Sequence, residues 1–158
     1  MNTYYGTHPG ALKPLLDTVG PAERELVRQF TAAEDAEFGS RSVNRFPIDR
    51  NTTGAKDWSG TRIHEQRVED DYDEAARLLA ELVLRYSPST SEVVVFWGNV
   101  VIPSIGIPAR LAAENAGLLI DIGDDVWIYA PGSGVLIEYW HSGRITAGEV
   151  PKETQRGT

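Results

Sequence analysis

The chain has 158 residues, no cysteine, and a net charge of −8 from 15 basic and 23 acidic side chains. A hydrophobic fraction of 41% and a charged fraction of 24% are those of a soluble globular domain, not of a disordered, collagen-like or membrane-spanning chain. The acidic balance argues against nucleic acid as a partner, because phosphates call for a basic face. Without cysteine there is no disulfide, no thiolate metal site and no thiol nucleophile.

The first residues, Met1-Asn2-Thr3-Tyr4-Tyr5-Gly6, lack the basic region and apolar run of a secretory signal. The longest apolar run, residues 93–97, is strand-sized. A cytoplasmic protein with no membrane contact is expected. The expected organisation is one α+β domain over residues 1–150 and a polar tail over 151–158.

Pro9 and Pro14 punctuate a poorly patterned start. A helix is expected after Gly20, with Pro21 at its first position and Glu23 and Glu25 in its first turn. Leu26, Phe30 and Ala33, with Val27 beside them, carry its spacing to about Asp35. Residues 37–67 are polar and turn-rich, and irregular strands are expected near 42–48 and 61–68. A second helix begins at a cap on Asp70 or Asp71. Its apolar stripe is Tyr72, Ala75, Ala76, Leu79, Leu82, Val83 and Tyr86, and Ser87-Pro88 stops it.

Glu92-Val93-Val94-Val95-Phe96-Trp97 does not alternate, so a central strand buried on both faces is expected there. Gly98-Asn99 interrupts it, and Val100-Val101-Ile102 extends it past a bulge. A short helix from Pro108 to Asn115 should be capped by Gly117. From Leu118 to Val150 the pattern predicts an antiparallel meander of three to four strands, with two to four helices packed on one face of the sheet.

The meander can be registered from its loops. Pro131-Gly132-Ser133-Gly134 pairs Ala130 with Val135, Ile128 with Ile137, and Val126 with Tyr139. His141-Ser142-Gly143, with glycine in the left-handed position, pairs Trp140 with Arg144, Tyr139 with Ile145, and Ile137 with Ala147. Both registers put Val126, Ile128, Val135, Ile137, Tyr139, Ile145 and Ala147 on one face. Trp127, Tyr129, Leu136, Glu138, Trp140, Arg144 and Thr146 fall on the other. A three-residue turn at Gly123-Asp124-Asp125 adds Leu119 and Asp121 to that second face.

Three readings of this aromatic face stand: a covering segment such as 37–67, a protein-binding surface, or a small-molecule pocket. A cation–π contact between Trp140 and Arg144 fits each of them. Asp121, Asp124 and Asp125 are turn residues before they are a cation loop, since the spacing of an EF-hand is missing. Glu69, Asp70, Asp71, Asp73 and Glu74 crowd a helix start beyond what capping needs, which points to an electrostatic landing site for a basic partner. The three histidines, His8, His64 and His141, show no metal-ligand spacing. No nucleophile elbow, phosphate loop or dinucleotide fingerprint is present, and no cofactor is expected.

Val93-Val94-Val95-Phe96-Trp97-Gly98-Asn99, the helix from Pro108, and the hairpins through Asp125-Val126-Trp127-Ile128-Tyr129 and Glu138-Tyr139-Trp140 resemble the C-terminal half of bacterial immunity proteins. These belong to polymorphic-toxin or contact-dependent-inhibition systems. The resemblance implies a non-enzymatic protein that binds a cognate toxin domain and occludes its active site. The acidic clusters would then engage basic toxin residues, with Trp127, Tyr129 and Trp140 as anchors and Glu138 and Arg144 beside them. Two alternatives are a small hydrolase or transferase using His64 or His141 with nearby carboxylates, and a self-associating phage or secretion accessory protein.

Overall fold

The computed structural model describes residues 6–153; the ends, including most of the expected tail, lie outside the described residues. A 3-10 turn at Pro9–Leu12 leads into α1 (Lys13–Val19) and the single turn α2 (Pro21–Arg24). Then follow β1 (Arg28–Gln29), α3 (Ala32–Arg41), β2 (Ile63–Val68), α4 (Tyr72–Tyr86), β3 (Glu92–Trp97), β4 (Ile105–Pro108), α5 (Ala109–Glu114), α6 (Ala116–Gly123), β5 (Val126–Ala130), β6 (Val135–Tyr139) and β7 (Arg144–Glu149). The strands make one antiparallel sheet in the order β1-β4-β3-β5-β6-β7-β2.

β3 is hydrophobic without alternation because both of its faces are covered. Val93, Val95 and Trp97 pack with α1, α4, α5 and α6, while Val94 and Phe96 pack into a second cluster on the far side. Each fully buried side chain of this size contributes roughly 1.5–3 kcal/mol over an exposed one. The meander registers are those expected: Ala130↔Val135, Ile128↔Ile137 and Val126↔Tyr139, then Tyr139↔Ile145 and Ile137↔Ala147. Trp140 N donates to Arg144 O at 2.9 Å to close the last turn. Asp71 caps α4 by accepting from Glu74 N at 3.0 Å, and Leu78, Leu79, Leu82 and Val83 bury its inner face.

Several expected elements differ. The helix over 21–35 is broken by β1. Arg28 is held across the sheet edge by Glu92 (2.9 and 3.1 Å) and by Glu34 (2.6 Å), which commits residues 28–29 to extended backbone. The helix restarts from a capping box in which Thr31 and Glu34 each accept from the other's backbone. Of the two irregular strands, 61–68 is β2, but 42–48 is a 3-10 turn followed by one bridge from Ile48 to Lys56.

Residues 100–102 do not prolong β3. Ile102 N bonds to Asn99 O, the chain turns back, and β4 returns beside β3. Pro108 ends β4 and caps α5 instead of opening the helix. Leu118 to Ile122 is helical, not a strand, so the meander has three strands. Leu119 and Ile120 bury on the helix-covered side, and Gly117 lies within α6, not at a cap. An apolar run this short has the same composition in either state. Asp121 therefore rides on a helix and Leu119 sits in the core, so neither joins the aromatic face.

Candidate functional site

The aromatic face is covered. Phe30, Val43, Phe46, Ala55 and Trp58, carried by the chain from β1 through residue 58, pack onto Val94, Phe96, Trp127, Tyr129, Leu136 and Trp140. Trp127, Tyr129 and Trp140 are each 8% exposed or less, so they are not the free anchors expected of an open binding face. The cover is keyed by Glu138, which is fully buried. Its Oε2 accepts from Lys56 N and Trp127 Nε1, both at 2.8 Å. Its Oε1 accepts from Trp58 Nε1 at 3.1 Å and from Arg144 Nη2 at 3.5 Å. Arg144 thus reaches Glu138 and not the Trp140 ring, and its Nε is buried without a partner. The cation resting on an indole is Lys56, 5.2 Å from the Trp127 ring centre.

The acidic segments do meet. Glu69 N donates to Gly143 O at 2.9 Å, which pins the start of α4 against the His141-Ser142-Gly143 turn. Glu69, Asp70, Tyr72, Tyr139, His141 and Gly143 line a depression of about 150 Å³ there. Tyr72 is 43% exposed, yet its hydroxyl turns inward and donates to Gly117 O on α6. Burial of that hydroxyl and the neighbouring Asp121 push its pKa up to about 12. Tyr139 is also raised, by burial first and then by Asp125, Asp124 and Asp121. Two clusters far apart in sequence therefore form one acidic end around two tyrosines.

Within it Asp70, Asp71, Asp73, Asp121 and Asp124 are exposed, and among the described residues none of them is in an ion pair. Glu74 pairs with Arg77 at 2.7 Å. Asp125 Oδ1 accepts from His141 N at 2.8 Å and lies 2.9 Å from His141 Nδ1. His64 stacks on Tyr86, with Glu149 3.8 Å from its Nε2.

A larger cleft of about 430 Å³ opens beside this end, between the covering segment and the ends of β3 and β5. Asp125 lines this cleft and also holds His141 of the acidic end. Asp35 and Lys56 also line the cleft, and sequence reading singled out neither. Burial raises the Asp35 carboxyl, partly offset by the Ser104 hydroxyl, and burial lowers the Lys56 ammonium, partly offset by Glu138. No local motif marks them; only the path of residues 32–58 across the sheet brings them in.

No protein-family model matches the chain, and no curated protein matches it. Among the described residues no group of three or more His, Asp or Glu side chains is placed to hold a metal, and no helix is long and apolar enough to cross a membrane.

Proposed function

We propose that this protein is a non-enzymatic inhibitor: a cytoplasmic immunity protein that binds a cognate bacterial toxin domain through its acidic end and occludes the toxin's active site. The observation that carries the reading is the convergence of Asp70, Asp71 and Asp73 with Asp121 and Asp124 around Tyr72 and Tyr139. Helix capping accounts for Asp71 alone. Concentrated unpaired charge with amphipathic tyrosines suits a basic partner surface, where charge speeds encounter and the ring supplies contact area. The buried tryptophans act as scaffold for this surface and not as its anchors.

The test is co-expression of a tagged copy with the product of the gene immediately upstream, followed by size exclusion and mass spectrometry. A one-to-one complex that silences a toxic neighbour is expected. A neighbour that is harmless, or that elutes apart from this chain, would overturn the reading.

A second reading has one observation behind it. His141 Nδ1 and Asp125 Oδ1 are 2.9 Å apart, the geometry of an oriented general base. The same oxygen also holds the His141 backbone N–H, which is what closing a turn requires, and the inhibitor reading is preferred. Hydrolysis of any ester or phosphoester substrate that is lost in H141A would reverse that preference.

A further inference from the structure

The two edges of the seven-stranded sheet differ in length. β1, at one edge, is two residues long, and its Arg28 is held by Glu34 and Glu92. β2, at the other, runs over six residues, five of them exposed, and among the described residues no strand pairs with its outer side. Such an edge is a template for a further strand.

The ladder fixes which backbone groups of β2 face outward. Glu69 N donates to Gly143 O at 2.9 Å, and the register continues through Arg67↔Ile145 and Glu65↔Ala147. Glu65, Arg67 and Glu69 therefore turn their N–H and C=O to β7, and Gln66 and Val68 turn theirs away. The Gln66 side chain lies on the side of the covering segment, where its Nε2 donates to Thr146 Oγ1 at 3.0 Å. Glu65 and Arg67 lie on the helix side, opposite the core residues Ala147 and Ile145.

A second copy of β2, antiparallel about a two-fold axis, must set outward residues against outward residues. The axis then passes through a residue and not between two. At Glu65 it would set Glu65 against Glu65. At Arg67 it would set Arg67 against Arg67 and Glu65 against Glu69. At Gln66 it sets Glu65 of each copy against Arg67 of the other, where opposite side chains lie closest, and the two Gln66 residues exchange backbone bonds. Within one chain Arg67 Nε lies 2.7 Å from Glu65 Oε1, so the four charges alternate around the axis without breaking that bridge. Charges that guard this edge against other strands thus admit a copy of itself in one register. A bulge between Ile63 and Glu65 ends the regular edge and keeps the contact short.

We propose that β2 is a self-pairing edge, through which two copies of this chain join antiparallel about Gln66 and continue the sheet. The contact is isologous and small, and the dimer is correspondingly weak. Glu69 and Asp70 follow directly on β2, so antiparallel pairing sends the two acidic ends in opposite directions. The dimer therefore stands whether or not the inhibitor reading does.

The experiment is sedimentation equilibrium of the whole chain from about 10 µM to about 1 mM, in about 0.15 M salt to screen the repulsion between two copies of net charge −8. The mean mass should rise from 17.4 kDa toward twice that value. R67E sets carboxylates against each other across the axis and should remain a single chain throughout. E65R/R67E restores unlike charges in the same register and should associate within about tenfold of the parent. Q66P removes an outward N–H and no bond to β7, so it should also stay a single chain while keeping the parent's circular dichroism. A parent mass fixed at one chain over the whole range would overturn the proposal. So would association that R67E and Q66P leave unchanged, or a folded double variant that associates no better than R67E.

Discussion

Glu138 gathers the covering segment onto the sheet with four donors, two of them indole N–H groups that have no other outlet in this core. E138Q would present an amide N–H₂ to donors on one side and leave the Arg144 charge unbalanced. A loss of about 3 kcal/mol is expected, the range for breaking a buried charged network. Denaturant unfolding measures it, and a loss under about 1 kcal/mol would mean that water satisfies the indoles instead. Asp35 gives a pH-dependent case. Burial raises its carboxyl above the ordinary 3.8, so at neutral pH its ionised form costs the fold stability. The cost shrinks as pH falls through the folded pKa and is gone below the unfolded one. D35N should therefore be more stable than the parent at about pH 7, with the advantage closing toward about pH 3. An advantage of equal size at both pH values would show that the carboxyl's ionisation is not the cause. Parity along β5 and β6 made Trp127, Tyr129 and Glu138 readable as one face. Nothing local told that Phe46, Trp58 and Lys56 lie on top of it, because that contact spans some eighty residues of chain.

Elements were legible where local chemistry and long-range packing agree. The β5–β7 meander follows from two loops and alternation, and α4 from a cap, a stripe and a proline stop. They were illegible where a tertiary contact overrides the local pattern, as when Arg28, clamped by Glu92 and Glu34, cuts a helical spacing in two. Leu118 to Ile122 failed for a different reason: α5 and α6 abut at Asn115, whose buried side chain donates to Leu111 O, and the run continues as helix. The junction of α4 with the β6–β7 turn is testable at Gly143. Its φ is +92°, and a Cβ there would lie 2.4 Å from Glu69 O. G143A should cost about 2 kcal/mol or more, since left-handed strain alone is about 1–2 kcal/mol and the contact with Glu69 must also open. A thermal melt within a degree or two of the parent would show that the turn and α4 are not coupled. T31A, which removes one half of the α3 capping box, should cost about 1 kcal/mol without touching that junction.

At the scale of the molecule, charge is distributed unevenly. Arg28, Arg85 and Arg110 are each tied to two carboxylates, while Asp70, Asp73, Asp121 and Asp124 stand together at one end with no ion pair among the described residues. Sequence made each acidic run visible and left their meeting hidden, because α6 and not a strand carries Asp121 toward Tyr72. Such a patch acts mainly before contact, by steering a basic partner, and its reach is a Debye length of about 10 Å at 0.1 M salt. If the proposed partner exists, replacing the four aspartates with asparagine should slow its association about tenfold at low ionic strength and flatten its salt dependence, with dissociation changed much less. The folded chain should change little in stability, because relief of repulsion between like charges offsets the loss of Asp73 from the first turn of α4, and asparagine at 121 still offers Tyr72 an acceptor. Stopped-flow association across a salt series reads both effects. If association keeps its salt dependence in the four-site variant, the steering charge lies elsewhere on the surface, and the acidic end is not where the partner lands.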